Sequence, residues 1–141
     1  MNNLDDVKGF LSQGKYTCVI QTPQAVYTST ERGVKPLVKW LESGENFSGG
    51  YAADKVVGKG AAFLYARLNV QAVYANVISV SAVQVLQTHG IAIEYDKLVD
   101  YIINRKGDGI CPFEETVLSI NDADAAYTAI RQKMADMHID L

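Results

Sequence analysis

Along residues 3–13, NLDDVKGFLSQ, apolar side chains at Leu4, Val7, Phe10 and Leu11 recur at helical spacing, and Gly14 follows as a stop signal. The period then shortens. YTCVIQ (16–21) and AVYTST (25–30) are rich in β-forming residues and are joined by the turn TPQ, which predicts a hairpin. Residues 34–42, VKPLVKWLE, return to a helical pattern, with Pro36 acceptable only in the first turn. SGENFSGG (43–50) is the strongest loop signal in the chain.

After that loop the pattern alternates. DKVVGKGAAFLYARL (54–68) predicts a helix, VQAVYANVI (70–78) a buried strand, SVSAVQVLQTHG (79–90) a helix closed by Gly90, and IAIEYD (91–96) a strand. Helix and strand alternating at this length imply parallel strands covered by helices. LVDYIINRKGDG (98–109) predicts a short helix and a glycine-rich turn. CPFEETVLSI (111–120) predicts a helix with Pro112 at its first position, and NDADAAYTAIRQKMADM (121–137) a capped amphipathic helix. Without repeats or low-complexity tracts, residues 1–141 are expected to form a single mixed α/β domain.

Composition narrows the class. A chain of 141 residues is long enough to bury roughly two-thirds of its unfolded surface in one core. With 48% hydrophobic and 21% charged residues it has the profile of a soluble globular protein. A formal charge of −3 gives no electrostatic reason to expect nucleic acid. No apolar run approaches the roughly 18 residues of a membrane span, and the polar start MNNLDDVKGF resembles neither a secretory nor a transit signal. Cys18 and Cys111 are the two cysteines, too few for a disulfide framework, so a cytoplasmic location is expected. The eight tyrosines are spread over every element and suit core edges and an interface better than a base-stacking platform.

The order helix, hairpin, helix, strand, helix, strand, helix, together with ADKVVGKGAA (53–62), SVSAVQVL (79–86) and CPFE (111–114), resembles a small uncharacterised prokaryotic family with a cytidine-deaminase-like fold. That resemblance implies a three-layer architecture: a mixed sheet, built from the N-terminal hairpin plus parallel strands, with helices on both faces. Active zinc deaminases carry a His or Cys followed two residues later by Glu at the start of the second core helix, and Pro-Cys-x-x-Cys at the start of the third. Neither motif is present. Alignment to the fold puts Ala53 at the ligand position and Lys55 at the proton-shuttling position, with Ser79 and Ala82 in place of the paired cysteines. The only histidines, His89 and His138, lie elsewhere. No metal and no cofactor are expected, and zinc-dependent deamination is not.

The residues standing in those places are unusual. Within a helix starting at 54, Lys55 and Lys59 would share one face and Asp54 would lie in the first turn. Two lysines near a helix start would favour an anion; the plainer reading is a capping Asp and two solvated lysines. Gly58 and Gly60 each cost about 1 kcal/mol in a helix interior, so they imply close approach of a neighbouring helix or of a ligand. Ser79 and Ser81 begin the next helix, where N-capping is the simple explanation. If ligands gather outside the carboxyl ends of the strands, Asp54, Lys55, Lys59, Ser79, Ser81 and Glu114 form the expected ligand-binding set. Cys111 precedes a helix start that would lower its thiol pKa, with Glu114 and Glu115 opposing that effect; a buried or capping Cys is the alternative. Cys18, within a strand, reads as core.

Three functions follow. The first is a zinc-less deaminase-fold protein holding a small anionic or nucleotide-like ligand. The second is a metal-independent enzyme using Cys111 as nucleophile, or Lys55 as base or Schiff-base amine. The third is a structural or regulatory homo-oligomer, since deaminase-like domains commonly self-associate.

Overall fold

The computed structural model describes residues 4–104 and 106–141. The chain opens with α1 (Leu4–Ser12) and the hairpin β1 (Cys18–Gln21) and β2 (Val26–Ser29), in which Cys18 lies opposite Ser29 and Gln21 opposite Val26. Next come α2 (Lys35–Glu42), β3 (Tyr51–Val57), α3 (Lys59–Leu68), β4 (Ala72–Ser79), α4 (Val80–Thr88) and β5 (Ala92–Val99). Two further helices, α5 (Pro112–Thr116) and α6 (Ala123–Asp136), complete the chain. One mixed sheet runs in the order β2-β1-β3-β4-β5, antiparallel across β2, β1 and β3 and parallel across β3, β4 and β5.

Helices cover both faces unequally. On one side Val7 and Leu11 of α1 pack against Val19, Ala53 and Tyr74. On the other, α3 and α4 lie on the sheet with α2 and α6 packed against α3, and Phe63, Leu64, Leu86 and Ile130 join Ile20, Val73 and Ile78 in the main core. This asymmetry explains α3, which is apolar nearly all round because it is buried from the sheet side and by four other helices.

Two expected elements differ. The helix predicted over 54–68 begins only at Lys59, because residues 51–57 are the central strand β3. Asp54 and Lys55 therefore stand on a strand and point to opposite faces, and Lys55 and Lys59 share no helix face. The strand forms because both its edges find partners: Cys18 of β1 opposes Asp54 on one side and Ala75 of β4 opposes it on the other. Gly58 is the extended N-cap residue of α3, at φ −94° and ψ −179°, rather than a helix-interior glycine. The second difference lies at 98–109. Strand β5 continues to Val99, and the described residues that follow hold an isolated bridge between Ile103 and Ile110 instead of a short helix.

Candidate functional site

Parallel strands β3 and β4 deliver the starts of α3 and α4 side by side at their carboxyl ends. Each helix start carries backbone N–H groups without intrahelical partners and the positive end of a helix dipole. The group that satisfies them comes from the chain itself. Glu114, in the first turn of α5, is 1% exposed and reaches into the gap between the two helices. Its Oε1 accepts from the Lys59 backbone N–H at 2.9 Å, from Ser79 Oγ at 2.7 Å and from Ser81 Oγ at 3.0 Å. Its Oε2 accepts from the Ile102 N–H at 2.7 Å. Ser79 also caps α4, its Oγ accepting from Ala82 N–H at 3.3 Å.

The glycines make room for this carboxylate. A Cβ at Gly58 would lie 3.0 Å from Glu114 Oε2 and 3.1 Å from Ile102 Cγ1. One at Gly60 would lie 2.9 Å from the Phe113 carbonyl oxygen. Of the two readings of these glycines, close approach of a neighbouring element of the same chain is the one realised. Lys59 is also used internally: it is 7% exposed and its Nζ donates to the Leu118 carbonyl at 2.7 Å. Burial holds its pKa below the usual lysine value, and the charge of Glu114 opposes that shift.

Asp54 belongs to a different cluster. It is 8% exposed on the face of the sheet toward α3, where its Oδ2 accepts from Tyr65 Oη at 2.8 Å and its Oδ1 from the Val56 N–H at 3.3 Å. Tyr65 Oη also lies 3.0 Å from Cys18 Sγ. Burial pushes the Asp54 carboxyl up to about 7, against the hydrogen bonds of Tyr65 and Val56, which lower it. Burial raises Tyr65 and Cys18 well above their ordinary values too, and the charge of Asp54 adds to both.

The expected ligand-binding set therefore divides. Ser79, Ser81, the Lys59 backbone and Glu114 meet at one point; Asp54 lies in the sheet core, and the Lys55 side chain is exposed, with no hydrogen bond or ion pair to either group among the described residues. Cys111 is the half-buried residue before α5 and its side chain makes no capping bond, while its carbonyl accepts from Glu114 and Glu115 N–H, each at 3.0 Å. No hydrogen bond links it to Lys55. Tyr65 and the Ile102 amide escape sequence reasoning; the one hint was a tyrosine inside the apolar run KGAAFLYARL. The positions assigned by alignment also move: Ala53 and Lys55 lie on β3, and the start of the helix after it is Gly58-Lys59-Gly60.

Two glycines, two serines and one carboxylate do not make a zinc site, which takes three imidazole, thiolate or carboxylate ligands. Among the described residues no three His, Cys, Asp or Glu side chains converge. Surface hollows of about 680 Å³ beside Arg131 and Leu141 and about 230 Å³ beside Lys8 and Tyr74 lie elsewhere, and Glu114 lines neither. No helix among the described residues is long and apolar enough to cross a membrane.

Comparison with known proteins agrees with this architecture. The chain is similar to the crystal structure of a DUF1893 family protein (TM1506) from Thermotoga maritima, at 25% identity and a TM-score of 0.85, over 92% of this chain and 88% of that one. No curated protein matches it. Residues 6–134 match the model of a domain of unknown function, DUF1893, also called TM1506, and the chain therefore belongs to the DUF1893 family.

Proposed function

We propose that this protein is a cytidine-deaminase-like domain that runs no zinc chemistry and works as a structural or regulatory homo-oligomer in the cytoplasm. One observation carries the reading: the crevice between the starts of α3 and α4 is filled by the chain's own Glu114, which takes four donors there. A small anionic or nucleotide-like ligand would need those same donors and would have to displace a carboxylate that is 1% exposed. The enzyme reading finds equally little support. Among the described residues, neither the Lys55 ammonium nor the Cys111 thiol makes a hydrogen bond or an ion pair. With the crevice closed, function moves to the outer surface, where β5 is a free sheet edge with Tyr95 and Leu98 exposed, a surface suited to a second copy.

Native mass spectrometry of the untagged protein, purified without chelators and paired with metal analysis, tests this. The expected result is a discrete oligomer at micromolar concentration with no small-molecule adduct. A monomer overturns the assembly reading, a stoichiometric nucleotide-like adduct returns function to the crevice, and stoichiometric zinc restores the deaminase reading.

A further inference from the structure

Among the described residues the sheet has two free edges, β5 on one side and β2 on the other. The backbone of β5 is open to a further strand. The Ala92 N–H donates to the Gln71 carbonyl at 3.0 Å, so in this parallel pairing residues 92, 94 and 96 bond inward and the amides of Ile93, Tyr95 and Lys97 turn outward. A copy of β5 is a poor partner for them. When a strand pairs antiparallel with its own copy across a two-fold axis, one residue faces itself, and the residue before it faces the residue after it. Centred on Glu94, Asp96 or Lys97, such a pairing sets that charge against itself; centred on Tyr95, it sets Glu94 against Asp96. Centres further out pair only an end of the strand. Like charges directly opposite one another destabilise a ladder, so β5 is guarded against itself.

The other edge meets no such opposition. Val26, Tyr27, Thr28 and Ser29 of β2 are uncharged and rich in β-forming side chains, so no register against Glu94, Asp96 and Lys97 brings like charges together. The Thr22 N–H donates to the Ala25 carbonyl at 2.8 Å and closes the hairpin, so residues 25, 27 and 29 bond inward to β1 and the backbone of Val26 and Thr28 faces outward. Val26 on this edge and Tyr95 on the other are each 42% exposed and supply apolar surface beside the joint. We propose that copies of this chain join head to tail, β2 of one against β5 of the next, so that the sheet continues from chain to chain. This rests on the homo-oligomer reading above and adds to it the partner edge and the symmetry. Because the joint unites two different surfaces, every copy keeps an edge to offer, and assembly runs on until a ring closes or a filament grows.

Blocking one edge at a time tests the pairing. Thr28→Pro removes an outward amide from β2 and Tyr95→Pro one from β5, and neither amide serves the ladder of its own chain. Sedimentation velocity at micromolar concentration compares wild type, each variant and an equimolar mixture of the two, with circular dichroism to confirm that each is folded. The wild-type protein is expected to sediment as a species larger than a dimer and each variant as a monomer. The mixture is expected to form a dimer that grows no further, since one blocked edge on each copy leaves a single compatible joint. A closed wild-type dimer, an assembly that survives either substitution, or a mixture that stays monomeric overturns head-to-tail pairing while the homo-oligomer stands. A wild-type monomer overturns the homo-oligomer itself and this pairing with it. Thr28→Lys and Tyr95→Lys, which obstruct an edge by charge, take the place of the prolines if those unfold the domain.

Discussion

Glu114 and Asp54 are the two buried carboxylic acids among the described residues, and the fold treats them in opposite ways. Glu114 sits where helices begin, and its oxygens receive two backbone N–H groups and two serine hydroxyls. Asp54 sits between paired strands, where most neighbouring amides are spent on the ladder, and receives the Tyr65 hydroxyl and a distant Val56 amide, with weaker help from the Cys18 thiol and the Lys55 amide. The difference is topological. A helix start exports unpaired donors, whereas the interior of a sheet has none to spare. The same chemical group therefore ties elements together in one place and is a conditional burden in the other.

Mutations sharpen that contrast. Glu114→Ala is expected to have the largest effect, a loss of about 3–5 kcal/mol, because it leaves buried donors at two helix starts and in the 100–110 loop without an acceptor. Chemical denaturation measures it, and a loss below about 1 kcal/mol would remove the idea that Glu114 joins α3, α4 and α5. Asp54→Asn is expected to act in the opposite direction. A carboxyl raised to about 7 contributes stability that is complete below pH 4 and gone above pH 7. The variant should therefore match wild type near pH 4 and exceed it above pH 7, by on the order of 2–4 kcal/mol. Denaturation curves at both pH values decide this, and equal stability at pH 8 would contradict it. The smallest effect is expected for Gly60→Ala, about 1–2 kcal/mol of destabilisation despite alanine's better helix propensity, because its Cβ would meet the Phe113 carbonyl at 2.9 Å. Thermal unfolding reads the change, and a gain in stability would show that α5 yields easily.

Much of the layout was legible in the sequence. Spacing located α1, the hairpin, α2, β4, α4 and α6, since each carries its own period and its own stop or cap, such as Gly14, Gly90 and Asp122. Strand β3 was not legible. Its seven residues, YAADKVV, hold a charged pair in the middle and run directly into the helix that follows, so the helical period of 59–68 extends over them by default. Only the pairing with Cys18 and Ala75 makes them a strand, and those partners are remote in sequence. The misplaced helix start then carried Asp54 and Lys55 into a site they do not share with Ser79 and Glu114.

The sequence by itself determined that Ser79 and Ser81 would stand at a helix start and that Gly58 and Gly60 mark a close approach, because a capping serine and a glycine that a helix disfavours are local signals. It also excluded the zinc-ligand motifs outright, since ligands that are not encoded cannot be folded into place. Tertiary structure alone decided what the anion is. Glu114 comes to the Lys59 amide from 55 residues away, and Asp54 is hidden beneath a tyrosine 11 residues further along the chain. The physical reason is that solvation and hydrogen-bond supply at a carboxylate depend on which distant elements pack around it, and local periodicity carries no record of those partners.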